Sequence, residues 1–143
     1  MPIEMNELFG IAGKVAVITG AGGVLGGNIA KHFMRQGAKV VAVDIRQEQL
    51  DKRVSELKQY GNEVIGVVGD VLDVASLGKL AGQVLSQWGK IDILLNIAGG
   101  NMPGATLEPE QHFYDMDIAC WEKVTGLNMN GTVYPSMVFG KVI

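Results

Sequence analysis

Four short apolar runs, each separated from the next by a stretch with helical spacing, constrain the fold of this chain more than anything else in it. The runs are KVAVITG (14–20), AKVVAVD (38–44), EVIGVVGD (63–70) and KIDILLN (90–96), the first rich in β-branched residues and continuous enough for a strand buried on both faces. Between them, NIAKHFMRQG sets Ile29, Ala30, Phe33 and Met34 on one helical face, and a charged helix runs from about 47 to 60. Leu77, Leu80, Ala81, Val84, Leu85 and Trp88 then recur at helical spacing. Gly37 and Gly61 mark helix ends, and Asp73 or Ser76 can start the third helix. This alternation implies right-handed βαβ crossovers and a parallel sheet covered on both faces.

Beyond the fourth run, residues 99–117 read as a loop because Gly99, Gly100, Pro103, Gly104 and Pro109 punctuate them; so long a loop in a compact domain is usually functional. Residues 117–143 read as mainly helical, with Pro135 allowing a kink or an interruption. At 143 residues the chain suits one domain, 1–143. Four strands leave one sheet edge open, and the last apolar helix has no following strand to pack under, so a fragment of a longer fold is expected.

Composition narrows the partners. A net charge of −3 with scattered lysines and arginines gives no footprint for nucleic acid or an anionic membrane. Cys120 is the only cysteine, which excludes an internal disulfide, fits a reducing cytoplasm and reads as a small buried apolar residue. The opening MPIEMNELFG carries Glu4 and Glu7 where an export signal needs a basic region, and the longest uncharged stretches (15–30 and 124–140) are too short and too broken for a membrane span.

The glycine excess, twenty residues, concentrates in TGAGGVLGG (19–27), directly after the first strand and before the first helix. Glycines there let the backbone approach a pyrophosphate closely and present the free N–H groups of a helix start to it. Strict G-x-G-x-x-G is not met, since Leu25 stands at the sixth position from Gly20. Context carries the reading: Asp44 ends the second strand, where an acid binds ribose hydroxyls. The expected fold is therefore an α/β Rossmann-type doubly wound parallel sheet, incomplete at four strands in the order 3-2-1-4. A plain glycine turn with an Asp that only closes a strand remains the alternative, as does a methyltransferase, which shares the turn and the acid. A 2′-phosphate about 4 Å from Asp44 would cost roughly 1 to 4 kcal/mol, so NAD is expected over NADP, although Arg46 lies near enough to weaken the discrimination.

TGAGGVLG after the first strand, GDV (69–71) after the third, NIAG (96–99) after the fourth and LNMNG (127–131) together resemble the short-chain dehydrogenase/reductase family. GGVLGG and NIAGGNMPGAT look like its mannonate oxidoreductase, or fructuronate reductase, subgroup. The resemblance runs from about Phe9 and corresponds to the first half of a family member. It implies that Gly20, Gly22, Gly23, Leu25 and Gly26 line the cofactor phosphates, Asp44 and Ile45 the adenosine ribose, and Asp70 and Val71 the adenine. Asn96, Ile97, Ala98 and Gly99 would pass beside the nicotinamide ribose. Asn128 matches the family asparagine that helps to hold a water in the proton relay; an asparagine satisfying a local helix break is the alternative.

Two positions depart from the family pattern, Val24 in place of a glycine and Ile97 in place of the second Asn of N-N-A-G. The family's catalytic serine and Tyr-x-x-x-Lys would follow residue 143, because neither Tyr114 nor Tyr134 has a lysine four residues later. By resemblance the whole enzyme would pass hydride between nicotinamide and a small hydroxyl or keto substrate, a sugar acid in the nearest subgroup, while this part alone would not turn over. A non-catalytic nucleotide-binding or assembly module is the competing reading. No metal site is expected: His32 and His112 are too few and too separated, and Asp115 and Asp117 suit solvated or helix-starting roles. Family members pair the helix corresponding to 117–143, so a homo-oligomer through it is expected.

Overall fold

A computed structural model describes residues 8–61 and 63–143; the start of the chain with Glu4 and Glu7, on which the export-signal reading rests, lies outside them. Strands β1 (Val15–Thr19), β2 (Lys39–Asp44), β3 (Val64–Val68) and β4 (Ile93–Asn96) form one sheet in the order β3-β2-β1-β4. All three pairings are parallel, with Val17 opposite Val41 on one side and Leu94 on the other. Each strand is shorter than its apolar run by one to three residues. At the fourth run the difference has a visible cause: Asp92 turns its carboxylate back to accept the Val15 N–H at 2.8 Å.

Helices α1 (Val24–Arg35), α2 (Gln47–Leu57) and α3 (Val74–Trp88) cross between successive strands. Asp73, not Ser76, caps α3, accepting the Ser76 N–H at 3.0 Å. Because side chains alternate along a strand, β1 and β2 feed two separate cores. Val15, Val17, Val41 and Val43 pack with Leu77, Leu80 and Val84 of α3 on one face. Ile18, Val40 and Ala42 pack with Ala30 and Met34 of α1 and Leu50 and Leu57 of α2 on the other. Every residue of β1 is fully buried, as a central strand with both faces covered requires.

After β4 the connection is less irregular than its glycines and prolines suggest, since single 3₁₀ turns form at Pro103–Ala105 and Phe113–Asp115. Helix α4 (Ile118–Thr125) starts at Asp117, whose carboxylate accepts the Cys120 N–H at 3.0 Å, which bears out its helix-starting role. The chain continues through a π turn (Gly126–Asn130) into α5 (Gly131–Phe139). The break in this helix therefore lies at the π turn and not at Pro135, which sits buried inside α5. Phe139, fully buried, anchors α5 against the α3 face of the sheet. Cys120 is only partly buried, so the fully buried apolar role does not hold; it fits against the backbone of Gly104.

Candidate functional site: a cleft at the carboxyl edge of the sheet

The connections following β1, β2, β3 and β4 converge on a cleft of 390 Å³ at the carboxyl ends of the strands. The chain direction of the crossovers reverses between β1 and β4, the place where open α/β sheets hold their ligands. Glycine is obligatory at the floor: Gly20 has φ of +67°, and a Cβ there would lie 2.8 Å from backbone atoms of Ala98. The turn thus brings the two loops that flank the switch point into direct contact. Helix α1 then begins without a side-chain cap and without an acid in its first turn. Its first intrahelical bond is Gly27 N–H to the Gly23 carbonyl at 3.0 Å, so the amides of Val24, Leu25 and Gly26 lie before the ladder starts and are free for an anion.

Asp44, only 5% exposed, stands at the end of β2. Its Oδ2 accepts the Gly22 N–H at 3.0 Å, and its Oδ1 accepts the Arg46 backbone N–H at 3.1 Å and Nε at 3.2 Å. An ionised carboxylate offers about four acceptor positions, so after these three donors a further hydroxyl can still be bound. Asp70 holds the loop after β3 by accepting the Leu72 N–H at 2.8 Å, and Val71 beside it is buried against Gly131.

Of the residues expected from the sequence, Gly20, Gly23, Leu25, Gly26, Asp44, Ile45, Asp70, Val71, Ile97, Ala98 and Gly99 line this cleft. Gly22 faces a neighbouring depression between α1 and α2, and its amide is spent on Asp44. Asn96 points away: its Nδ2 donates to Ser136 Oγ at 3.0 Å, tying β4 to α5. Asn128 reaches the site indirectly. Its Oδ1 accepts the Gly100 N–H at 3.1 Å, and its Nδ2 donates to the Gly100 and Val124 carbonyls, both at 2.8 Å. The side-chain amide therefore clamps the loop after β4 onto the π turn, in keeping with the helix-break reading.

Sequence reasoning missed Leu127, which lines the cleft from the π turn, and the function of Thr19. Leu127 adjoins the Asn of LNMNG, the one signal that could have found it. Thr19 is a fully buried polar residue whose Oγ1 accepts the amides of Ile97 and Ala98, each at 3.1 Å.

A cleft built from a bare helix start, a strand-end carboxylate and a loop crossing the switch point suits a dinucleotide, and comparison with known proteins accords with it. The short chain dehydrogenase family model matches residues 14–140. The chain belongs to the short-chain dehydrogenase family. This short-chain dehydrogenase sequence is 38% identical over 149 residues to the uncharacterized oxidoreductase UxuB of Bacillus subtilis, covering 99% of this chain and 52% of that protein. A crystal structure of a Haemophilus influenzae protein, provisionally described as a D-mannonate oxidoreductase and holding NAD, superposes with a TM-score of 0.85 at 34% identity, over 92% of this chain and 50% of that one. A Burkholderia phymatum short-chain dehydrogenase/reductase in complex with NAD gives 0.77 at 32% identity, over 94% and 46%. The chain thus spans about half the length of the relatives it matches.

Proposed function

We propose that residues 1–143 form a single Rossmann domain that binds NAD for an oxidoreductase acting on a small hydroxyl or keto substrate. The observation that carries this reading is the alignment of α1's free amides and the buried Asp44 carboxylate along one cleft. The residues present fit the cofactor: the amides of Val24, Leu25 and Gly26 suit its diphosphate, Asp44 and Ile45 its adenosine ribose, Asp70 and Val71 its adenine, and Ile97 to Gly99 its nicotinamide ribose. Bound there, a nicotinamide dinucleotide supplies hydride exchange with the substrate carbon.

Selection of NAD over NADP follows from Asp44. Its remaining acceptor position would take a ribose hydroxyl, whereas a 2′-phosphate would meet a second negative charge in a partly desolvated place. Arg46, which could have neutralised that phosphate, is already paired with Asp44 at 3.2 Å. The NAD-bound relatives support the same choice. Calorimetry should give NADH at least about fivefold tighter binding than NADPH, the low end of the discrimination expected from charge repulsion. Equal or tighter NADPH binding overturns the selection.

A sugar acid is the substrate class we favour, on the likeness to the Haemophilus protein. Asn128 contributes by fixing the loop at Gly100 beside the reacting end of the cleft. None of Tyr60, Tyr114 and Tyr134 has a lysine four residues later, so this chain should bind cofactor without turning over; steady NADH oxidation with a keto acid by the purified chain would refute that. The single cysteine suits a reducing cytoplasm, and among the described residues no helix is long and apolar enough to cross a membrane. Self-association through residues 117–143 is supported by the exposure of Ile118, Trp121, Met129, Val133 and Met137.

A further inference from the structure

On the face of the sheet that carries the glycine turn, α1 and α2 meet through a charged side chain that cofactor binding as described leaves unused. Arg53 of α2 lies flat against α1 at Gly27, where a Cβ would run into its Nε and Cζ. Its Nη2 donates to the Gly23 carbonyl at 3.3 Å and its Nη1 to Glu56 Oε2 at 2.7 Å, while Nε is buried without a partner. The side chain is 23% exposed. An arginine that only solubilised a helix would keep its guanidinium in water. This one gives up hydration to reach a backbone oxygen.

That oxygen matters because of the peptide it belongs to. The Gly23 carbonyl and the Val24 N–H share one planar trans unit, so they point in opposite directions and move together. Two donors hold the oxygen, Arg53 Nη2 and the Gly27 N–H at 3.0 Å. With the oxygen fixed, the Val24 N–H, first of the free amides of α1, is fixed in the opposite direction. Gly23 is the residue that most needs this help, since it is the uncapped start of the helix and has no side chain to hold it.

We propose that Arg53 is a positioning residue for the diphosphate grip, acting through the Gly23–Val24 peptide and never touching the nucleotide. Gly27 is its seat. The proposal rests on the cofactor reading above and deepens it by assigning the phosphate end of the cleft a support from α2. Because Asp44 and Asp70 have no bond to Arg53, the effect is confined to ligands that carry the diphosphate.

Three variants test it. Arg53→Met removes the donor; Gly27→Ala keeps the arginine and its charge but displaces it from its seat; Arg53→Lys keeps charge and one donor. ADP-ribose binding is measured by calorimetry and adenosine binding by NMR titration on each folded variant. Arg53→Met and Gly27→Ala should each weaken ADP-ribose about five- to tenfold, the scale of one hydrogen bond, and leave adenosine within about twofold. Their double variant should be no weaker than the weaker single one, as expected of two changes that break one contact, and Arg53→Lys should recover most of the loss. Unchanged ADP-ribose affinity in Arg53→Met overturns the proposal, as does equal weakening of both ligands, or a loss in Arg53→Met that Gly27→Ala does not reproduce. Failure of the unsubstituted chain to bind ADP-ribose would instead overturn the cofactor reading, and this proposal with it.

Discussion

Ala98 donates its backbone N–H to Thr19 Oγ1 at 3.1 Å, joining the loop after β4 to the last residue of β1. The Ile97 N–H shares that acceptor at 3.1 Å, and the hydroxyl lies 3.4 Å from the Leu95 carbonyl. One buried oxygen therefore sets the separation of the two loops that face each other across the switch point. Thr19→Val, nearly the same shape, would leave two amides without an acceptor. Urea denaturation should show a loss of about 1–3 kcal/mol, with Thr19→Ser retaining most of the stability. A valine variant as stable as the parent would show that the hydroxyl is dispensable.

Gly20 makes the complementary contact from the turn, at φ of +67° and with no room for a Cβ beside Ala98. Gly20→Ala meets both the left-handed backbone cost, about 1–2 kcal/mol, and a clash with backbone that cannot step aside. The expected result is a lower melting temperature and a drop in NADH affinity of more than about tenfold, read by fluorescence titration.

Asp92 is the residue through which acid should act. Burial by itself would raise its carboxyl, but the Val15 amide at 2.8 Å, with Lys90 and Lys14 at 3.0 and 3.8 Å, outweighs burial and holds it below the ordinary 3.8. A group lowered on folding stabilises the fold above its unfolded value and loses that contribution as pH falls toward its folded one. The contribution is thus present at neutral pH and fades below about pH 4. Asp92→Asn should lower stability at pH 7 and flatten its dependence below pH 4, measured by thermal melts across the range. A parallel shift of the whole curve would contradict the assignment.

If residues 117–143 mediate self-association, a charge among their exposed apolar side chains should abolish it. Met137 is 61% exposed, so Met137→Glu should leave the fold intact while light scattering at high concentration falls to the monomer mass. A parent chain that is already monomeric under the same conditions removes the proposal.

The strands, the helices and the covering of both sheet faces were legible in local pattern, in β-branched runs flanked by glycine and apolar residues at helical spacing. The strand order came from the Rossmann-type reading of the glycine turn and Asp44, and most of the cleft residues from the resemblance to the short-chain family. What was not legible depends on side chains that meet across long stretches of chain. Arg53 lies 30 residues from Gly23, and nothing in QEQLDKRVSEL separates it from its solvated neighbours. Asn96 was expected at the cleft because its motif is, yet strand alternation turns its side chain toward Ser136. Pro135, the residue with a known penalty, was expected to allow a kink or an interruption, whereas the break is the π turn at Gly126–Asn130, which only the alternative reading of Asn128 touched and which Asn128 stabilises by reaching back to Val124.

That π turn also governs how this region tolerates change. A π turn takes up one residue more than the α turn it replaces, so removing a single residue within Gly126–Asn130 would restore ordinary α spacing and leave the helix after it nearly in phase. Phe139 would stay sealed against the sheet and Gly131 near Val71, whereas a residue lost from the regular turns of α5 would swing whatever follows it by about 100° around the helix axis. A shortened chain should therefore be tolerated at the π turn and not in the helices on either side of it.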